Sequence, residues 1–288
     1  MSVELFIGLV THPRTRFAES SGPDGLAQRL SQALNRAGIT TQVEVSDQNE
    51  YSEELLTINA DVIKKSIDAE LELEQRWAKY LYPRKLHVTL KLRMLVHKRN
   101  RREKYLGRNQ GSGESMVKRL INIELAHLNL LNAANSIDAQ WCLIVEDDAI
   151  ASNFSELVES LISFLKRTAQ NNQPKYVNLS QSFDDATLKI DGQLLRSENT
   201  THEYWSSGNV LVAQYPITNT VCAVLYRGTF VGELLQEYAE IPLEPVVPID
   251  WKLNHAIMNL YSRNSLTDGD CWFIEPGPIV QRSMHQPN

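Results

Sequence analysis

Apolar residues come first as a continuous run. Leu5-Phe6-Ile7-Gly8-Leu9-Val10 reads as a buried strand, closed by the polar turn Thr11-His12-Pro13-Arg14. From Gly25 to Ala37 the pattern changes period. Leu26, Leu30, Ala33, Leu34 and Ala37 form one helical stripe, and Gly38 stops it. Thr40 to Val45 then predicts a second strand. A strand, a helix of this length and another strand make a βαβ unit with parallel pairing, and ligands of such sheets bind beyond the carboxyl ends of the strands. Those ends are Thr11 to Arg16 and Ser46 to Asp47. Further on, Leu55, Ile58, Val62, Ile63, Ile67, Leu71 and Trp77 mark a long amphipathic helix. Leu86 to Arg93 suits a strand or a helix equally. The composition of Arg108 to Gly113 predicts a flexible loop, and Ser115 to Ala134 an amphipathic helix. Trp141 to Val145 predicts a second buried strand, followed by a helix capped by Asn153 or Ser155 and reaching about Gln170. Short strands are expected at Tyr176 to Leu179 and Val221 to Tyr226. Helices are expected at Thr229 to Tyr238 and Trp251 to Ser262, the second capped by Asp250. The tail, rich in proline from Pro242 onward, is expected otherwise to wrap without regular elements.

Composition changes this picture little. The 288 residues are 42% apolar and 22% charged, ordinary for a globular α/β chain with a sizeable core. With 29 basic and 35 acidic residues the net charge is −6, which argues against affinity for nucleic acid resting on a basic surface. Nothing approaches the length of a membrane span, and Met1 to Leu5 lacks the basic start of a secretory signal, so a cytoplasmic protein is expected. Cys142, Cys222 and Cys271 are widely spaced among apolar residues, which suggests buried, reduced thiols.

The charge is unevenly spread. Residues 44–76 hold ten acids against three bases, and 84–104 hold nine bases against Glu103. The Arg84 to Arg108 stretch reads either as a solvated face balanced by its acidic neighbour or as a site for an anionic acceptor or membrane surface.

The stretch richest in chemistry is Leu143-Ile144-Val145-Glu146-Asp147-Asp148-Ala149. Three carboxylates ending an apolar strand repel one another, and burying them unpaired is expensive. A divalent cation would resolve the conflict and could bring a diphosphate with it, since Mg2+ and Mn2+ prefer carboxylate and phosphate oxygens. A solvated turn with acids near the next helix N-terminus is the plain alternative.

Val145 to Ala149 resembles the acidic motif of GT-A-type glycosyltransferases. Three other segments resemble those of bacterial lipooligosaccharide glycosyltransferases (family 25), in the same order. They are Ile123 to Leu128, where Ala126 replaces the usual Ser before His127; Pro248-Ile249-Asp250-Trp251; and Ile274 to Gln281. The resemblance implies one GT-A-like domain over 1–288. Its parts are a nucleotide-binding βαβ portion (1–50), a charged helical insertion (51–113) and a metal and acceptor portion (114–288), around a mostly parallel sheet flanked by helices. It implies transfer of a sugar from a nucleotide-sugar donor, a UDP-sugar first, to a glycan or lipid-linked acceptor with Mn2+ or Mg2+. In that scheme Asp148 and His285 hold the metal. Glu146 and Asp147 contact ribose or a metal-bound water, and Asp250 is the acceptor base. Thr11, Arg14, Arg16 and Asp47 bind the donor; Glu124 and His127, three apart on a helix, reach the same site. A non-catalytic relative and a metal-dependent nucleotidyltransferase are the competing expectations.

Overall fold

The structure is a computed structural model. It describes residues 3–11, 17–47, 110–169, 171, 173–180, 194–198, 205, 208–215, 221–241 and 249–282, with backbone alone at 47, 110–120, 194–198 and 251. The charged segment 51–109, with both readings of its basic stretch, lies outside the described residues, as do Arg14, Arg16 and His285.

The expected βαβ start is present. β1 (Leu5–Thr11), every residue of it buried, is followed by α1 (Leu26–Arg36) and β2 (Thr41–Asp47). β1 and β2 pair in parallel from Leu5↔Thr41 to Thr11↔Asp47, so the two terminal polar residues lie side by side. α1 stops where Gly38 takes φ +84° and the Ile39 amide donates to the Leu34 carbonyl at 3.0 Å, a closure suited to glycine.

The remaining elements follow as α2 (Gln110–Ser136), β3 (Trp141–Glu146), β4 (Ala149–Ala151), α3 (Phe154–Thr168), β5 (Tyr176–Asn178), β6 (Leu194–Glu198), β7 (Asn209–Ala213), β8 (Ala223–Arg227), α4 (Gly228–Ala239), α5 (Ile249–Ser262), β9 (Cys271–Glu275) and β10 (Ile279–Gln281). One sheet carries eight strands in the order β2-β1-β3-β8-β5-β9-β7-β6, while β4 and β10 form a separate pair. β8 and β7 run against the other six strands, so the sheet is mixed but mostly of one direction. The chain is an α/β protein.

Strand alternation sends side chains to two cores. Phe6, Cys142, Ile144 and Tyr226 pack with Leu130 of α2, Phe230 of α4 and Leu253 of α5. Ile7, Leu143, Val145 and Trp272 pack on the opposite face with Leu30 of α1 and Phe164 of α3. Each fully buried side chain of this kind stabilises the fold by about 1.5–3 kcal/mol. No helix among the described residues is long and apolar enough to cross a membrane.

Several expectations are corrected. The tail does add regular structure: β9 lies inside the sheet between β5 and β9's other neighbour, β7, and β10 pairs with β4. Cys271-Trp272-Phe273-Ile274 is too short a run to stand out beside Pro276 and Pro278, yet it is apolar on both faces, as an interior strand requires. The glycine-containing stretch at 110–113 is helical rather than a loop, because it opens the 27-residue α2. α3 is capped by Asn153, whose side chain accepts from the Glu156 amide at 3.3 Å. α5 begins at Ile249, so Asp250 sits in its first turn instead of capping it.

Candidate functional site at the carboxyl edge of the sheet

Thr11, Asp47 and Glu146 close β1, β2 and β3 at the same edge, in adjacent strands. Glu146 ends β3, and a tight two-residue turn of Asp147 and Asp148 leads into β4 at Ala149. Antiparallel pairing with β8 brings Cys222 alongside: the Glu146 amide donates to the Cys222 carbonyl at 2.9 Å.

Each acid has its own surroundings. Gln281 Nε2 donates to Glu146 Oε2 at 3.1 Å, and Glu146 Oε1 lies 3.4 Å from His127 Nε2. Thr11 Oγ1 donates to Asp147 Oδ2 at 3.2 Å, while the Ser20 hydroxyl donates to the Asp147 carbonyl. Asp148 is buried; its Oδ1 lies 3.9 Å from Cys222 Sγ, and its carbonyl accepts from the Arg282 amide at 2.8 Å. The Arg282 guanidinium pairs with Glu19 and lies over the Phe17 ring at 5.2 Å. Backbone and Arg282 hydrogen bonds hold the Glu19 carboxyl below its usual range. Strand β10 and the residue after it therefore form a strap across the acidic turn.

Among the described residues, one ligand atom from each of Glu146, Asp148 and Cys222 falls within 4.8 Å of the others. Two carboxylate oxygens in this spacing suit a small divalent cation. Burial, then the charges of Glu146, Asp148 and Asp147, push the Cys222 thiol well above its ordinary range, so the thiol is protonated where no cation is bound. The donor set thus fits a cation through its carboxylates.

The remaining predicted residues divide. His127 is 1% exposed and directed at Glu146; its Nδ1 has no hydrogen-bond partner among the described residues. Glu124, one turn earlier, goes elsewhere: its oxygens lie 2.6 and 2.7 Å from Lys252 Nζ, and Tyr238 donates to it at 2.7 Å. A three-residue helical step turns about 60° from full eclipse, enough to give the two side chains different neighbours. Asp250 is half-buried in the first turn of α5. Burial raises the Tyr176 hydroxyl, its Asn178 bond lowers it somewhat, and the charges of Cys271 and Asp250 raise it further. Outside that set, Trp205 is 2% exposed, with its ring centroid 6.1 Å from that of Phe164, and belongs to the core. Sequence reasoning missed Cys222, Gln281, Arg282 and Ser20 as neighbours of the acids. Only the strand pairings β3–β8 and β4–β10 reveal the first three.

No family model matches the chain, and no curated protein matches it in sequence.

Proposed function

We propose that the protein is a metal-dependent glycosyltransferase of GT-A-like fold, moving a sugar from a nucleotide-sugar donor to a glycan or lipid-linked acceptor. The observation that carries this reading is the convergence of Glu146 and Asp148 on a turn beside Thr11 and Asp47, at the edge where α/β sheets bind nucleotides. When bound, a divalent cation such as Mn2+ or Mg2+ supplies neutralising charge for the leaving diphosphate.

Asp148 is the principal ligand in this reading, and His285 is a further one. Thr11, Asp47, Arg14 and Arg16 hold the nucleoside and diphosphate, the arginines through charge-assisted forks. Thr11 also orients Asp147 through its hydroxyl. His127 and Gln281 fix the two oxygens of Glu146, so that this carboxylate is held ready for ribose or a metal-bound water. Asp250 takes the acceptor proton, an assignment that serves an inverting reaction.

The test is a thermal-shift screen of UDP-, GDP-, CMP- and dTDP-sugars with and without Mn2+. A donor at 100 times its Kd stabilises by about 2.7 kcal/mol. Stabilisation by one donor family that needs the metal supports the reading, and transfer or hydrolysis of that donor separates an enzyme from a binding protein. No stabilisation by any sugar nucleotide removes it.

A further inference from the structure

Cys222 packs in the core beside Val145 and Ala149, yet unlike an ordinary core thiol it also faces the acidic turn. It stands immediately before β8, tied through its carbonyl to the Glu146 amide, and its sulfur faces the Asp148 carboxylate at 3.9 Å. Tetrahedral ligation with ordinary zinc–sulfur and zinc–oxygen bond lengths puts sulfur and oxygen roughly 3.6 Å apart. The observed separation is a few tenths of an ångström longer, within reach of a small side-chain rotation.

The other side of the cluster is prepared as well. His127, almost wholly buried, directs Nε2 at Glu146 Oε1 while Gln281 holds Oε2. Oriented carboxylates of this kind, each steadied by a neighbour, are usual around metal ligands. Two hard oxygens with one soft sulfur favour ions late in the Irving–Williams order over Mg2+, which takes oxygen ligands and retains its waters.

We propose that Glu146 ligates the cation directly and that Cys222 joins it and Asp148 as a protein ligand, so that the site prefers a borderline divalent ion such as Zn2+ or Co2+ to Mg2+. The inference rests on reading the acidic turn as a cation site. On binding, the S–H bond breaks, a metal–sulfur bond forms, and one proton leaves to solvent.

The experiment is titration of the full chain with Co2+, followed by near-ultraviolet absorption and, in parallel, by calorimetry with Zn2+ and Mg2+. The expected result is a thiolate-to-cobalt charge-transfer band that Cys142→Ser and Cys271→Ser retain and Cys222→Ser loses. Zn2+ affinity should fall by roughly tenfold or more in Cys222→Ser, since even supporting partners of metal ligands are worth about 10–100-fold. Mg2+ affinity should not change. Cys222→Ala, compared with the wild type by metal-free thermal unfolding, checks that the loss is not one of folding. Co2+ binding without the band, or a band that survives in Cys222→Ser, overturns the role of Cys222 and leaves the carboxylate site standing. Absence of all divalent-ion binding in the wild type overturns both.

Discussion

Lys252 Nζ sits between the two oxygens of Glu124, at 2.6 and 2.7 Å, in a salt bridge that joins α5 to α2. Both residues are buried, and Tyr238 of α4 adds its hydroxyl at 2.7 Å. Three helices on one face of the sheet thus share a single charged contact. Removing one partner leaves a buried charge with its strongest neighbour gone. Lys252→Met or Glu124→Gln should each destabilise by about 3–5 kcal/mol, and the double variant Glu124→Gln with Lys252→Met by less than the sum of the singles. Denaturant unfolding of the four proteins measures the coupling; full additivity would contradict it.

Gly228 begins α4 with its Cα pressed toward the Ala139 backbone, and a Cβ there would collide with the Ala139 carbonyl oxygen. Backbone on both sides leaves little to yield. Gly228→Ala should therefore destabilise more than an average substitution, by about 3 kcal/mol or more, visible as lost soluble expression or a lowered melting temperature. Gly38→Ala, where nothing lies near the added carbon and the penalty is the positive φ alone, should cost only about 1 kcal/mol.

Asp148→Asn and Asp250→Asn should fail in different ways. The first is expected to lose metal-dependent donor binding by calorimetry. The second should bind the donor as the wild type does, while turnover falls by about 10²–10⁴. Equal loss of binding in both would remove the acceptor-base assignment.

Alkaline pH should weaken the fold through its tyrosines. The Tyr261 hydroxyl donates to Asp268 Oδ1 at 2.6 Å, and that bond, with burial and the Asp268 charge behind it, pushes the phenol up to about 12. An unfolded tyrosine ionises near about 10. The folded state holds the proton more tightly, so its contribution is complete below about 10 and is lost as pH rises through about 12. Tyr261→Phe should make the denaturant midpoint fall less steeply across that window.

Cys142, Cys222 and Cys271 are each fully buried, with burial the leading cause of their raised thiol pKa values. A thiol reagent should therefore modify none of them in the native protein at neutral pH and all of them in guanidinium chloride. Rapid native labelling of any one would contradict the packing around it.

The legible parts of the fold are those whose signal is local. β1, α1 and β2 declare themselves because a continuous apolar run, a 3.6-residue stripe and a glycine stop follow one another within fifty residues. The acidic turn was legible too, because Glu146, Asp147 and Asp148 interrupt an apolar strand abruptly. β9 was not: its partners β5 and β7 lie far back along the chain, and prolines on its far side imitate an irregular tail. The same holds for Cys222 and Gln281, which meet Glu146 through pairings that no short window contains. Asp250 was displaced from the cap by the helix starting at Ile249, two residues earlier than the expected Trp251. Glu124 and His127 show the limit of face arguments: sharing a stripe did not give them a common neighbour.

The strap across the acidic turn has a consequence for how the protein is made. Gln281 reaches Glu146 over 135 positions. At a synthesis rate of about 5–20 residues per second, the carboxylates leave the ribosome roughly 7–27 seconds before the segment that covers them. During that interval the growing chain has β1, β2 and β3 but neither β9 nor the β4–β10 pair. The edge that gathers the acids is thus completed only once β10 has been made, and maturation of the site is timed by synthesis of that later segment rather than by the folding of its own strands.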